Sequence, residues 1–258
     1  MRLADDDSFA AASGRLPAGV YTTFRTYGGG RVVRFPAHLR RLANSARLQG
    51  TTARIDGDAV RRLVAAALAA AGHRESRVRV TVAPSKVFVS VAPFVPLAPA
   101  LYGEGVSCAT LGLRREKPRV KDTRFIPTAQ QAYSELQPGV EEGLLLAPDG
   151  SILEGLTSNF FAVIDGTLHT EEERVLSGIT RSLVLEVAGA RLPVARRAVR
   201  NDQVSRISES FITSASREVL PVVCIDDRDI GDGHVGPHTL AIMEGFAEAV
   251  DREAERLV

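Results

Sequence analysis

The chain is short of lysine, aromatic residues and cysteine, has no tryptophan, and carries almost no net charge. Each shortage excludes something. A formal charge of +1, from 32 Lys plus Arg against 31 Asp plus Glu, offers no electrostatic footprint for nucleic acid or an anionic membrane. The two cysteines, Cys108 and Cys224, stand far apart, which excludes a disulfide framework and a cysteine-based zinc site and points to a reducing compartment. The longest apolar run, residues 63–71, falls well short of the ~18 residues of a membrane span. Residues 1–14 are acidic and rich in Ala and Ser, without the basic and apolar regions of a secretory leader, so the cytoplasm is the expected location. Only three lysines occur, Lys86, Lys117 and Lys121, so chemistry that needs a neutral amine has three candidates. What remains is an ordinary globular composition, 45% hydrophobic and 24% charged, in 258 residues, enough for one large or two modest domains with a sizeable core.

Hydropathy patterning predicts an α+β chain. "YTTFRTY" and the strand at 31–35, separated by Gly28-Gly29-Gly30, read as a hairpin. The triple glycine is no dinucleotide fingerprint, because no strand–helix context surrounds it. Helices are expected over 36–48 and 56–71, and strands over 77–83 and 87–92 around Pro84-Ser85-Lys86. The proline-rich 93–99 breaks the pattern and opens a linker over 93–104, giving a small domain over 1–92 and a larger one over 105–258. The second region reads as short strands at 106–111, 143–146, 152–153, 160–164 and 167–169, with turns at Pro148-Asp149-Gly150 and Asp165-Gly166. A helix at 179–190, strands at 194–199, 210–213 and 219–225, and a closing helix at 237–257 complete it.

Four places carry possible chemistry. Lys121, in "RVKDTRFIPT", has Arg119 and Arg124 as neighbours. It reads either as a solvated surface lysine or as an amine that nearby cations keep neutral, able to form a Schiff base with a carbonyl cofactor. Glu154, in "SILEGLTSNFFAV", is either a turn residue or the rim of a polar site beside Thr157-Ser158-Asn159. "SGITRSLVLEVA" starts a helix without a capping side chain or an early acid, leaving backbone N–H groups and the positive helix end open to a phosphate. "TSASRE", 213–218, is a small hydroxyl-rich turn whose amides suit a second anion contact. Arg40 and Arg41 cannot face the same way on a helix; they read either as two surface arginines or as one solvated and one drawn toward a site beside Leu42. His234 and His238 are split by Gly236-Pro237, which does not suit metal binding, and His38 reads as a helix-start or packing residue. No Gly-x-Ser-x-Gly elbow and no Gly-Lys-Ser/Thr loop appears.

The order of "HLRRLANSA", "VKDTRF", "EGLLLAPDGSILEGLTSNFFAVIDGTLHT", "VLSGITRSLVLEVA" and "FITSASREVLPV" closely resembles the class IV, or fold type IV, pyridoxal 5′-phosphate enzymes. That family includes branched-chain and D-amino-acid aminotransferases and 4-amino-4-deoxychorismate lyases. The resemblance covers about 20–236 and implies a two-domain α+β fold with a β-rich, cofactor-binding second domain. It implies Lys121 as the amine attached to the cofactor and the proton-transfer base, Glu154 on the pyridine nitrogen, and Leu176 packed on the ring. It assigns the phosphate to Arg41, Ile179, Thr180, Ser214 and Ala215, and the substrate side to Tyr21. Small amino and oxo acids are the implied substrates, and a homodimer the implied assembly. The family's opening strand pair looks shortened in this chain. Ile126 stands where a tyrosine is common, and the Arg-x-His carboxylate trap of D-amino-acid enzymes is missing, so the substrate class stays open. Transamination is the expected reaction, with aminodeoxychorismate cleavage to 4-aminobenzoate and pyruvate as the alternative.

Overall fold

The computed structural model describes residues 15–51, 55–84 and 86–257. Residues 1–14, 52–54, Ser85 and Val258 lie outside them. The chain divides into two compact units, and the division is not sequential. The first unit comprises Met1–Val95, Val120–Pro127 and Glu253–Val258; the second comprises Pro96–Arg119 and Thr128–Arg252.

In the first unit, β1 (Val20–Arg25) buries alternate residues, Val20, Thr22 and Phe24, as a strand with one covered face must. After β2 (Arg31–Val33), Arg34 adopts a left-handed conformation (φ 51°) and turns the chain into α1 (Phe35–Leu48), which has Pro36 in its first turn. The second helix, α2 (Gly57–Ala71), is capped by Asp56, whose carboxylate accepts from the amides of Asp58 and Ala59. A hairpin follows, β3 (Ser76–Ala83) and β4 (Lys86–Pro93). Here the expected first hairpin is corrected. β1 pairs antiparallel with β3, placing Tyr21 opposite Thr81 and Thr23 opposite Arg79, while the glycine turn leaves only a bridge between Tyr27 and Arg31. The order β1-β3-β4 puts Val20 and Phe24 on one face with Val78, Val80 and Val82, where they form the unit's core with Phe35, Leu42, Val60 and Val64.

The second unit begins with α3 (Ala100–Glu104), unforeseen in the sequence, and β5 (Val106–Leu111). Helix α4 (Phe125–Ser134) runs across the boundary of the two units. Then come β6 (Val140–Leu146), β7 (Ser151–Gly155), β8 (Asn159–Ile164) and β9 (Thr167–His169). The β8–β9 turn, Asp165-Gly166, has positive φ at both residues, as a two-residue hairpin loop requires. Helix α5 (Ile179–Gly189) follows as expected. The strand expected at 194–199 is instead two short pieces. β10 (Val194–Ala195) lies parallel to β9, and β11 (Val199–Arg200) lies antiparallel to β7. Past a 3₁₀ turn, β12 (Glu209–Ser214), β13 (Glu218–Ile225) and β14 (Arg228–Asp229) lead to α6 (Pro237–Glu253). The closing helix therefore stops short of 257, and β15 (Ala254–Arg256) returns to the first unit to pair with β2.

The large sheet runs β10-β9-β8-β12-β13-β5-β6-β7-β11, and β7 also pairs with β8. The path from β8 through β12, β13, β5, β6 and β7 therefore closes on itself. Inside it lie Leu144, Phe160, Ile212, Leu220 and Val222, and Phe161 stacks on Phe211 with centroids 4.9 Å apart. Among the described residues no helix is long and apolar enough to cross a membrane.

Candidate active site

Closure of the β7–β8 pair sets Glu154 opposite Asn159, and the β8–β12 register sets Asn159 opposite Thr213. Directly opposed residues share a sheet face, so these three polar side chains form one rung. All are buried, Glu154 at 2% exposure and Thr213 at 1%. A carboxylate is costly to bury unless it is paired and hydrogen-bonded. Glu154 Oε2 accepts from the Leu176 amide at 3.0 Å and from Asn159 Nδ2 at 3.3 Å, and Arg115 Nε lies 3.4 Å from Oε1. Asn159 Nδ2 also donates to the Leu176 carbonyl at 2.9 Å. The Thr213 hydroxyl, in contrast, is buried without a hydrogen-bond partner among the described residues.

The start of α5 adjoins this rung through Gly178. A Cβ on Gly178 would fall 2.1 Å from Asn159 Oδ1, so no side chain fits there without displacing the asparagine. Gly178 caps the helix with no side-chain hydrogen bond, and the first turn holds no acid. Two other helix starts contrast with it, whereas α1 and α3 also begin without a capping side chain. Asp56 closes α2, and the buried Glu209 closes α6 by accepting from the amides of His238 (3.1 Å) and Thr239 (2.7 Å). At α5 the amides of Ile179 and Thr180 fall in the first turn, where a helix offers its N–H groups no intrahelical partner and carries a partial positive charge. Arg181, in the same turn, is drawn away, donating to the Glu171 carbonyl and to Glu172 at 2.8 Å each. After Thr213 the chain enters the turn Ser214-Ala215-Ser216-Arg217, held by the Arg217 amide donating to Ser214 Oγ at 3.2 Å. Glu154, Leu176, Ile179, Thr180, Ser214 and Ala215, proposed from sequence, thus come together within the second unit.

Tyr21, Arg41 and Lys121 lie in the first unit. Lys121 is held by its backbone: its carbonyl accepts the Tyr21 amide at 2.9 Å and its amide donates to Ser45 Oγ at 3.2 Å. Its Nζ stands 4.9 Å from the centre of the Tyr21 ring. The expected cationic neighbours are corrected. Arg124 is paired with Asp122 at 2.6 Å and Arg119 is exposed. The cations drawn inward here are Arg41 and Arg79. Arg79 is 7% exposed, stands 5.0 Å from the Tyr21 ring centre, and has its pKa lowered by burial. Arg41 Nη2 donates to Thr22 Oγ1 at 2.8 Å, and burial pushes its pKa down to about 10. A threonine hydroxyl that accepts from arginine has its own proton to give, so Thr22 donates to His38 Nδ1, also at 2.8 Å. This assigns the His38 proton to Nε2. Burial, then the charges of Arg41 and Lys121, hold the His38 pKa well below its usual value, so the ring is neutral.

Sequence reasoning missed Arg79, Arg115 and a buried cluster around Glu142, and took Thr213 only as part of the turn at 213–218. The signals were faint. Arg79 stands in an alternating strand opposite Tyr21's neighbours, and Glu142 occupies the β6 face that Leu144 continues inward.

The chain's relatives agree with this arrangement of elements. The family profile described as Amino-transferase class IV matches residues 19–225. The chain is 25% identical over 262 residues to a branched-chain-amino-acid aminotransferase of Pseudomonas aeruginosa, covering 92% of this chain and 85% of that one. It is 33% identical over 104 residues to a D-alanine aminotransferase of Staphylococcus haemolyticus, a match covering 39% of this chain and 37% of that one. Among solved structures, a putative branched-chain amino acid aminotransferase of Thermotoga maritima superposes with TM-score 0.82 at 28% identity, covering 96% of this chain and 92% of the other. The T.th. branched-chain amino acid aminotransferase with pyridoxamine 5′-phosphate shares the fold at TM-score 0.83 and 23% identity, over 97% of this chain and 93% of that one.

Proposed function

The chain belongs to the class IV aminotransferases, pyridoxal 5′-phosphate enzymes that move an amino group between an amino acid and a 2-oxo acid, and on that premise we propose which of its residues do the work. The observation that carries the proposal is the buried rung Glu154–Asn159–Thr213 beside an uncapped helix start. The donor set fits the cofactor. A phosphate dianion calls for free amides and a positive helix end, which Ile179 and Thr180 supply, with Ser214 and Ala215 as the second contact and Arg41 as the counter-charge. A pyridine nitrogen calls for a buried carboxylate, and Glu154 is one that Asn159 and the Leu176 amide hold in place. Leu176, 7% exposed, would pack against the ring. The bound cofactor supplies an electron sink for charge that develops at the substrate's Cα.

Each residue then has a defined task. Glu154 holds a proton at the ring nitrogen. Lys121 Nζ would hold the cofactor and, as a free amine, would accept the proton from the substrate's Cα as general base. The α5 amides would hold the phosphate in place, and the family resemblance assigns Arg41 to the same group. Every amino or oxo acid substrate carries a carboxylate. Arg79, a buried guanidinium on the Tyr21 face of the small sheet, is suited to receive it, with the Tyr21 ring as the adjoining wall. We read the protein further as a cytoplasmic homodimer, supported by its family resemblance; a monomer in sedimentation that keeps full activity counts against the dimer.

The test is spectroscopic and kinetic. Wild-type protein is expected to take up pyridoxal 5′-phosphate with a visible absorption band that a competent amino acid bleaches, one donor at a time. Lys121→Ala is expected to lose that band and at least about a hundredfold in transfer rate, as removal of a general base does. Full transfer by the alanine variant defeats the assignment. Pyruvate and aminobenzoate released from aminodeoxychorismate without an acceptor would favour the lyase reaction instead.

A further inference from the structure

Another buried carboxylate lies in the large unit, and the reaction above does not use it. Glu142, on β6, is completely buried, and its two oxygens accept five donors. Oε1 takes the Tyr133 hydroxyl at 2.5 Å and the Gly143 amide at 3.1 Å. Oε2 takes Arg217 Nη1 at 2.7 Å, Ser158 Oγ at 2.9 Å and Thr157 Oγ1 at 3.3 Å. Arg217 Nη2 also reaches the Tyr133 oxygen at 3.2 Å, and that oxygen lies 2.9 Å from Thr157 Oγ1. A carboxylate so surrounded is saturated with donors, and Arg217 is its counter-charge. The electrostatics of its partners agree. Burial alone would lower the Arg217 pKa, but Glu142 and Tyr133 more than reverse it, while burial and Glu142 raise that of Tyr133.

What the carboxylate holds is the informative part. Arg217 ends the turn Ser214–Arg217, and it is clamped at three points: its guanidinium by Glu142, its amide by Ser214 Oγ, and its carbonyl by the Tyr102 hydroxyl at 3.1 Å. The next residue, Glu218, has φ 56°, so the turn leaves through a left-handed step. On its other side Glu142 holds Ser158 and Thr157, the turn that delivers Asn159 to Glu154. Gly155 makes this close approach possible, because a Cβ there would meet Ser158 Oγ at 2.2 Å and Glu142 Cδ at 2.9 Å.

We propose that Glu142 is a positioning residue for the cofactor's phosphate: through Arg217 it presets the Ser214–Arg217 turn whose amides face the anion. The proposal rests on the reading of that turn as a phosphate contact. A loop already held in its binding conformation loses less entropy when the anion arrives, and that difference appears as affinity. Glu142→Gln keeps the shape but replaces one oxygen with an NH₂ group, which sets donor against donor and removes the nearer of Arg217's two carboxylate partners, leaving Glu141 Oε1 at 3.6 Å.

The experiment compares two ligands on the apoprotein, pyridoxal 5′-phosphate and pyridoxal, which differ only in the phosphate. In Glu142→Gln the phosphorylated ligand is expected to weaken about tenfold, the size of one charge-assisted hydrogen bond, with pyridoxal unchanged. Tyr133→Phe removes one donor from the same cluster and is expected to move the ratio the same way by a smaller factor; it carries the test if the glutamine variant does not fold. An unchanged ratio in a folded variant overturns the proposal, and so does equal weakening of both ligands, which marks general structural damage. If unmodified protein binds both ligands equally, the phosphate seat itself is misassigned, and the role of Glu142 falls with it.

Discussion

Asn159 holds more of the candidate site than its single side chain suggests. Its Nδ2 bridges Glu154 and the Leu176 carbonyl, and its Oδ1 occupies the space a Cβ on Gly178 would need. Gly178→Ala is therefore expected to push the asparagine off both partners and to cost about 1–3 kcal/mol, the usual penalty of overpacking a buried polar contact. Thermal unfolding measures it; an unfolding temperature equal to wild type would mean the asparagine swings aside freely and the contact is slack. Gly189 makes the control. It stands at the other end of α5 with open space around its Cα and an ordinary backbone, so Gly189→Ala is expected to stabilise by up to about 1 kcal/mol. The same chemical change at two glycines of one segment thus has opposite signs.

At the scale of the element, α5 is a helix with an open start where α2 and α6 have carboxylates. An acid in the first turn of a helix stabilises it by about 0.3–1 kcal/mol through the helix dipole. Thr180→Asp is therefore expected to raise the unfolding temperature of the apoprotein slightly. The same charge repels a phosphate and removes the threonine hydroxyl, so affinity for pyridoxal 5′-phosphate is expected to fall at least several-fold. Stability and affinity moving in opposite directions would distinguish a ligand seat from an ordinary helix start. If both rise, or neither moves, α5 does not receive the anion.

For the whole molecule, the first unit is assembled from three stretches of chain. Its core includes Val120 and Leu257, and β15 pairs with β2. A fragment ending at residue 95 lacks these and is expected to show helical far-ultraviolet dichroism without fixed tertiary signals. A cooperatively unfolding fragment would refute this. Acid stability belongs to the same unit. His38 is buried neutral, with its folded-state pKa well below the usual 6.5. The unfolded chain then binds the additional proton, so stability is full above about pH 6.5 and declines as the pH falls toward the depressed folded value. Denaturant midpoints between about pH 7 and pH 5 should fall, and His38→Gln should flatten that slope. An unchanged slope would place the acid sensitivity elsewhere, for instance in His169, which burial and Arg197 also shift downward.

Local chemistry alone determined the extent of α1, α2, α5 and most strands, the Asp165-Gly166 turn, and the open start at Gly178-Ile179-Thr180. Those features depend on periodicity and backbone preference within a few residues, which is where sequence patterns are read. Lys121 and Glu154 were legible as candidates because the motifs around them are compact. Tertiary structure decided the partners. β1 takes β3 rather than the nearer β2, because that register keeps Val20 and Phe24 on the valine face, and β15 crosses back to β2 with Arg34 meeting Glu253 219 positions away at 2.6 Å. It also decided which charges are withdrawn from water. Arg79, Glu142 and Arg217 look like any other charged residue of a strand or turn until the chain closes around them. Burial is a sum over segments distant in sequence, and no local pattern carries that sum.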